Sequence, residues 1–291
     1  MRMTGVTLLL VVIALTGCRH DSAPVEAPAP AELYVSPLPS DAYAWPRERV
    51  DYEPLAARFP PPSGFERVEL PEGSFAQWLR NLPLLSEGSP VLDETGRRLA
   101  LGPAAVVDMD VRRFQECADV ILRLRAEYLR WAGREDEIVF HLTGPGTISW
   151  PEWRRGMRPR LEGDRLVFAH AAEVDGSRES FDRFLASVFE WCGTISLASE
   201  GQAVTFEDVQ VGDYFARGGS PGHAVVIVDL ARSEAGELLA LILQGYMPAQ
   251  SPHVLMGGEP GAWFAPDADT PVRVPWGSFT WEDLRRFSDA P

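Results

Sequence analysis

Apolar residues recur along the chain at two spacings, one helical and one alternating. From Asp110, a residue type suited to an N-cap, the residues Phe114, Cys117, Ile121, Leu124 and Tyr128 fall on one helical face, with arginines and Glu127 on the others and a stop near Gly133. Ser177 caps a second helix that runs to Gly193 with Phe181, Phe184, Leu185, Val188 and Cys192 inward, and Ser74 opens a short one through Trp78 and Leu79. Alternation predicts a strand over 65–70, and 138–142 and 165–170 read as strands between the two long helices. The last third is β-rich, with strands over 213–216, 223–230 and 238–246, the last two joined as a hairpin through 231–237. A hairpin centred between Ser233 and Glu234 sets His223 opposite Gln244; a register shift of two sets Tyr246 there instead. With no internal repeat and no second proline-rich break, these elements predict one α+β domain over 64–287.

The start of the chain carries a different signal. Residues 6–15 are an unbroken apolar or small run behind one positive charge, too short to span a bilayer permanently, and Leu15-Thr16-Gly17-Cys18 follows with small residues before a cysteine. This resembles a bacterial lipoprotein signal, which implies that 1–17 are removed and that Cys18 is lipidated and anchors the protein to a membrane. An ordinary signal peptide with an incidental cysteine is the other reading. Arg19 and His20 lack the aspartate that retains some lipoproteins at the inner membrane, so the expected location is the outer membrane, facing the periplasm. Ten of the 25 prolines lie between Pro24 and Pro62, and proline fixes φ and withholds a backbone donor. Residues 18–63 therefore read as an extended tether.

Charge narrows the function classes. Forty-two acidic residues against 27 basic ones leave a formal charge of −15, which repels phosphate backbones and argues against a nucleic-acid partner. Every basic residue is Arg, so chemistry that needs a lysine (Schiff bases, pyridoxal phosphate, phosphate-loop hydrolysis) is excluded. His141, His170 and His253 show no metal-ligand spacing, and no cofactor is implied. The run 141–146 with Trp150-Pro151-Glu152-Trp153 would suit a groove that stacks sugar rings, although tryptophans in a domain of this size also serve as core.

The cysteines carry the sharper chemistry. In an oxidising periplasm Cys117 and Cys192 could pair, closing a loop worth on the order of 4 kcal/mol. Alternatively Cys117 is a nucleophile, since a thiolate is favoured near the start of a helix and disfavoured at the end, where Cys192 falls. A helix starting at Asp110 would leave Cys117 two turns in, where a small buried core thiol is equally at home. His223 follows the glycine-rich run 218–222 and opens an apolar strand, an exposed place for a base on a rigid support. Gln244 or Tyr246 on the neighbouring strand would orient its ring.

This order of residues resembles the papain-like thiol hydrolases of the bacterial envelope, the NlpC/P60 and CHAP groups, which cleave peptide or amide bonds in peptidoglycan. The resemblance implies a Cys-bearing helix packed on an antiparallel sheet, with Cys117 as nucleophile, His223 as base, Gln244 as orienter and Gln115 helping to hold an oxyanion. Gln115 lies closer to the cysteine than that pattern has it, and the long interval from Cys117 to His223 requires an insertion over 138–202. Gln115-Glu116-Cys117-Ala118-Asp119, Leu124-Arg125-Ala126-Glu127-Tyr128-Leu129, Gly222-His223-Ala224-Val225 and 244–250 more closely resemble an uncharacterised family of bacterial lipoproteins, known by a domain-of-unknown-function label, over 64–287. Two functions follow as expectations. One is a lipid-anchored cysteine hydrolase of envelope peptide or amide bonds. The other is a non-catalytic lipoprotein that binds a wall fragment or a protein partner.

Overall fold

In a computed structural model, the structure describes residues 38, 41–45, 53–102, 104–256, 261–270, 272–275 and 277–288. Cys18, the residues 1–17 expected to be a signal and much of the proline-rich run lie outside these residues. Eight strands form one sheet: β1 (Phe65–Arg67), β2 (Ala104–Val106), β3 (Gly201–Ala203), β4 (Tyr214–Arg217), β5 (His223–Ser233), β6 (Leu238–Gln244), β7 (His253–Leu255) and β8 (Leu284–Phe287). Their order is β2-β7-β6-β5-β4-β8-β3, with β1 also beside β5, and every pairing is antiparallel. The chain is a mixed fold of helices and an antiparallel sheet.

The apolar density of β5 and β6 explains their place at the centre, where both faces are covered and nearly every residue is buried. Their register differs from a hairpin centred between Ser233 and Glu234. The turn closes where Ser233 N–H donates to Glu237 O (3.0 Å), and a bulge between Ile227 and Asp229 takes up one residue. Val226 therefore faces Leu243, and extending that register sets His223 opposite Tyr246. Gln244 lies diagonally across on the same face.

Five helices matter to the site: α1 (Phe75–Arg80), α2 (Cys117–Trp131), α3 (Trp150–Arg154), α4 (Arg178–Trp191) and α5 (Thr194–Glu200). Ser74 and Ser177 cap α1 and α4 as their types require, accepting from Gln77 N–H and Ser180 N–H (both 3.1 Å). The start of α2 departs from expectation. Phe114 takes a left-handed φ of 64°, which no helix continues through, and Asp110 is engaged with Arg123 instead of capping. The helix begins at Cys117, with Glu116 as N-cap and its N–H donating to Asp119 (2.9 Å). Arg123 and Arg125, expected on outer faces, are buried: α2 lies across β5 on one side and meets α1, α4 and α5 on others.

Two further expectations are corrected by burial. The domain does not start at 64, because Ala42, Tyr43, Trp45 and Leu55 belong to the core. Tyr43 OH donates to Trp78 O (2.6 Å), Trp78 Nε1 to Ala42 O (2.9 Å) and Trp263 Nε1 to Pro60 O (3.1 Å). Tyr43 and Trp45 make the described part of that stretch packing surface. Trp150 and Trp153 line no sugar groove; both pack edge-on against Phe184 or Phe181 beneath α4. The segment between α2 and β3 holds two hairpins, Val139–His141 with Thr147–Ser149 and Met157–Glu162 with Arg165–His170, besides α3, α4 and α5. Among the described residues no helix is long and apolar enough to cross a membrane.

Candidate functional site

Four elements converge where α2 begins. Cys117 is the first helical residue and is 7% exposed. The N–H groups of Ala118 and of Ala224, one residue beyond His223 on β5, are aimed at its sulfur. Gly245, directly after β6, supports the same end of the helix: a Cβ there would fall 2.6 Å from Val120 Cγ2 and 3.0 Å from Glu116 O. Only a glycine lets α2 sit this close to the sheet. Gly245→Ala is therefore expected to cost about 1–3 kcal/mol, as overpacking does, and to slow alkylation of Cys117 by displacing the start of the helix. Thermal melts together with thiol-labelling rates check this, and an unaltered labelling rate would contradict it.

His223 is half buried at the first position of β5. Its Nε2 lies 3.3 Å from Gln244 Oε1, while its Nδ1 is buried with no hydrogen-bond partner among the described residues. Tyr246 meets the ring edge-on (centroids 5.4 Å apart) and Phe279 stacks on it (5.7 Å). Gly222 gives the strand its entry, since a Cβ there would lie 2.1 Å from Thr194 Oγ1. Gln244 is 1% exposed, and its Nε2 lies 3.3 Å from Nε2 of His253 on β7. His253 Nδ1 in turn lies 2.9 Å from the Ser251 carbonyl oxygen.

Burial governs the titrations. It pushes the Cys117 thiol up to about 11, and the nearby Asp119 and Glu116 add to this against the two N–H groups. The helix start thus does not make a standing thiolate, contrary to what its place at a helix N-terminus leads one to expect. Burial also holds His223 below the usual imidazole value, partly opposed by its contact with Gln244. At neutral pH the site pairs a neutral thiol with a neutral base.

The structure sets His223 against Gln244 and the backbone of the next strand residue, Ala224, against Cys117, and it does not turn Gln115 toward them. That amide is fully buried, accepting from Arg123 Nη1 (2.5 Å) with its Nε2 4.0 Å from Met109 Sδ. It is spent on the loop before α2 and is not aimed at an oxyanion. Cys117 and Cys192 are both free thiols. Cys192 caps the far end of α4, where burial and Glu200 raise its pKa further still. His253 escapes a reading of the sequence that weighs histidines by metal spacing; only the β6–β7 pairing, which aligns Gln244 with His253, reveals it. Among the described residues, a cleft of about 440 Å³ beside Arg58, Arg98 and Met256 and one of about 420 Å³ beside Phe75, Arg125 and Arg286 lie elsewhere.

A family model described as a domain of unknown function (4846) matches residues 55–286. No curated protein matches the chain, and no solved structure matches it.

Proposed function

The chain belongs to this family of the domain of unknown function 4846, a description that carries no activity, and from the site itself we propose that it is a cysteine hydrolase of peptide or amide bonds. The observation that carries the reading is the state of His223: one ring nitrogen is held by Gln244, and the other is buried and unpartnered beside the strand residue that touches Cys117. A papain-like arrangement is supported by the order of parts. A cysteine opens a helix lying across an antiparallel sheet, a histidine opens the strand beneath it, and an amide sits on the neighbouring strand.

In this reading Cys117 Sγ attacks the substrate carbonyl carbon while its proton passes to His223 Nδ1. The positive end of α2 stabilises the resulting oxyanion. The carbon–nitrogen bond breaks as that proton moves on to the leaving nitrogen, leaving a thioester on Cys117. Water, deprotonated by His223, then releases the acid and restores the thiol. The raised thiol pKa makes the base indispensable, because attack must await proton transfer. The lipoprotein-like start of the chain supports extending this reading to an activity at the outer membrane, held by lipid on Cys18 and facing periplasmic peptidoglycan peptides. Palmitate labelling that is lost in Cys18→Ala tests the anchor.

The alkylation rate of Cys117 against pH, in a Cys192→Ala background, tests the pair. Because the His223 pKa is lowered, its neutral form persists down past pH 6.5, so the rate should hold to that point and fall only as the ring protonates. With His223→Ala the rate should instead climb toward the thiol value of about 11 and be about 100-fold slower at pH 7. Coincident curves for the two proteins would sink the hydrolase. The burial of the Cys117 sulfur is what favours the second reading, a lipoprotein that binds a wall fragment or partner, and that reading expects ligand binding indifferent to alkylation.

A further inference from the structure

We propose that His253 is a positioning residue that sets the tautomer of His223 through Gln244. The inference rests on the reading of His223 as the base, and it follows from donors and acceptors taken in sequence. The Ser251 carbonyl oxygen can only accept, so His253 Nδ1, 2.9 Å away, carries a proton and donates it. In a neutral ring Nε2 is then bare and can only accept. Gln244 meets it with Nε2, its donor end, at 3.3 Å. An amide has one end of each kind, so Oε1 is turned to His223, 3.3 Å from that ring's Nε2. Oε1 can only accept, and His223 must therefore hold its proton on Nε2 and present a bare Nδ1.

The bare nitrogen is the one with no hydrogen-bond partner among the described residues, and it is the atom required to take the thiol proton. Reversing the Gln244 amide would set its donor against His223, place the imidazole proton on Nδ1 and abolish the base without moving a single backbone atom. Gln244 (1% exposed) and His253 (3% exposed) are buried, so water does not readily relieve a mismatch at either end. Burial holds His253 below the usual imidazole pKa, consistent with the neutral ring that the chain of contacts needs.

The chain contains five histidines, so selective ¹⁵N-histidine labelling of the full chain in detergent micelles resolves each ring by long-range proton–nitrogen correlation. At neutral pH the wild type should show His223 protonated on Nε2 and His253 protonated on Nδ1; the opposite tautomer at either ring overturns the proposal. His253→Leu should shift His223 toward the Nδ1-protonated form and slow Cys117 alkylation by about tenfold or more. His253→Gln, whose amide again offers one donor and one acceptor, should restore both. An unchanged His223 tautomer in folded His253→Leu also overturns the proposal, and if that variant does not fold, the wild-type spectrum decides alone. Cys117 alkylation that is indifferent to His223→Ala, alongside the expected tautomers, would remove the hydrolase reading and leave the relay standing.

Discussion

Cys117→Ala is expected to abolish hydrolysis of the cognate peptide or amide, by about 10³-fold or more, while the domain remains folded. His223 is the base in this reading, Gln244 is engaged at both ends, and the second thiol, Cys192, is held in its neutral form by burial and Glu200 more strongly than Cys117. Folding should survive because the first turn of α2 tolerates alanine and the sulfur is small, so the lost burial is worth about 1 kcal/mol. Peptidoglycan-derived peptides assayed by mass spectrometry, with circular dichroism on the same samples, separate the two effects. Cys192→Ala is the matched control, because it removes an equally buried thiol and should leave turnover intact. Equal turnover by wild type and Cys117→Ala on a substrate that the wild type cleaves would end the nucleophile assignment.

Much of the fold was legible in the pattern of apolar residues, and the exceptions share a cause. The strand 165–170 and the helix that Ser177 caps follow from local spacing and capping, and both lie where expected. The start of α2 does not follow from spacing, because Phe114 continues the helical stripe while its left-handed φ ends it. That residue is 51% exposed and never joins the core its spacing suggested. The placement of Tyr43 and Trp45 was hidden by the prolines around them, since composition records stiffness and says nothing of which surface a stiff segment covers. At the site, Cys117, His223 and Gln244 were visible as residue types in a plausible order. Gln115 was misread because its side chain serves Arg123, and His253 was passed over because its contact with Gln244 exists only through a strand pairing. Local chemistry can be read from a single sequence, whereas the partner of a buried polar group depends on the whole fold.

Arg123→Ala is expected to be the most damaging single substitution for stability, at about 3–5 kcal/mol, because it deletes a buried charge whose partners stay behind. Arg123 is fully buried and donates to Asp110 Oδ1 (2.5 Å), Asp110 O (2.9 Å) and Gln115 Oε1 (2.5 Å), with Glu127 Oε1 3.7 Å from its Nε. Removing it strands the Gln115 amide and loosens the 110–116 loop, though Glu127 keeps its paired bonds from Arg178 (2.6 Å each). Arg123→Lys should recover only part of the loss, since an ammonium cannot reproduce the planar fork that serves these acceptors together. The pH dependence carries its own signature. Burial pushes the Asp110 carboxyl up, but the charge and hydrogen bond of Arg123, with help from Arg112, hold it down at about 2. A folded-state pKa below the unfolded value stabilises the protein above about pH 4, and that contribution is lost as pH falls toward 2. Asp110→Asn should therefore flatten the melting temperature across that window, whereas wild type should fall through it. Arg97→Ala provides the contrast: its guanidinium is 75% exposed opposite Asp93, so its removal should change stability by less than about 1 kcal/mol. Because the loop that Arg123 pins leads directly into Cys117, Arg123→Ala should also slow thiol labelling at temperatures where the domain is still folded. A slower rate below the melting transition would show that the buried ion network positions the nucleophile as well as stabilising the fold.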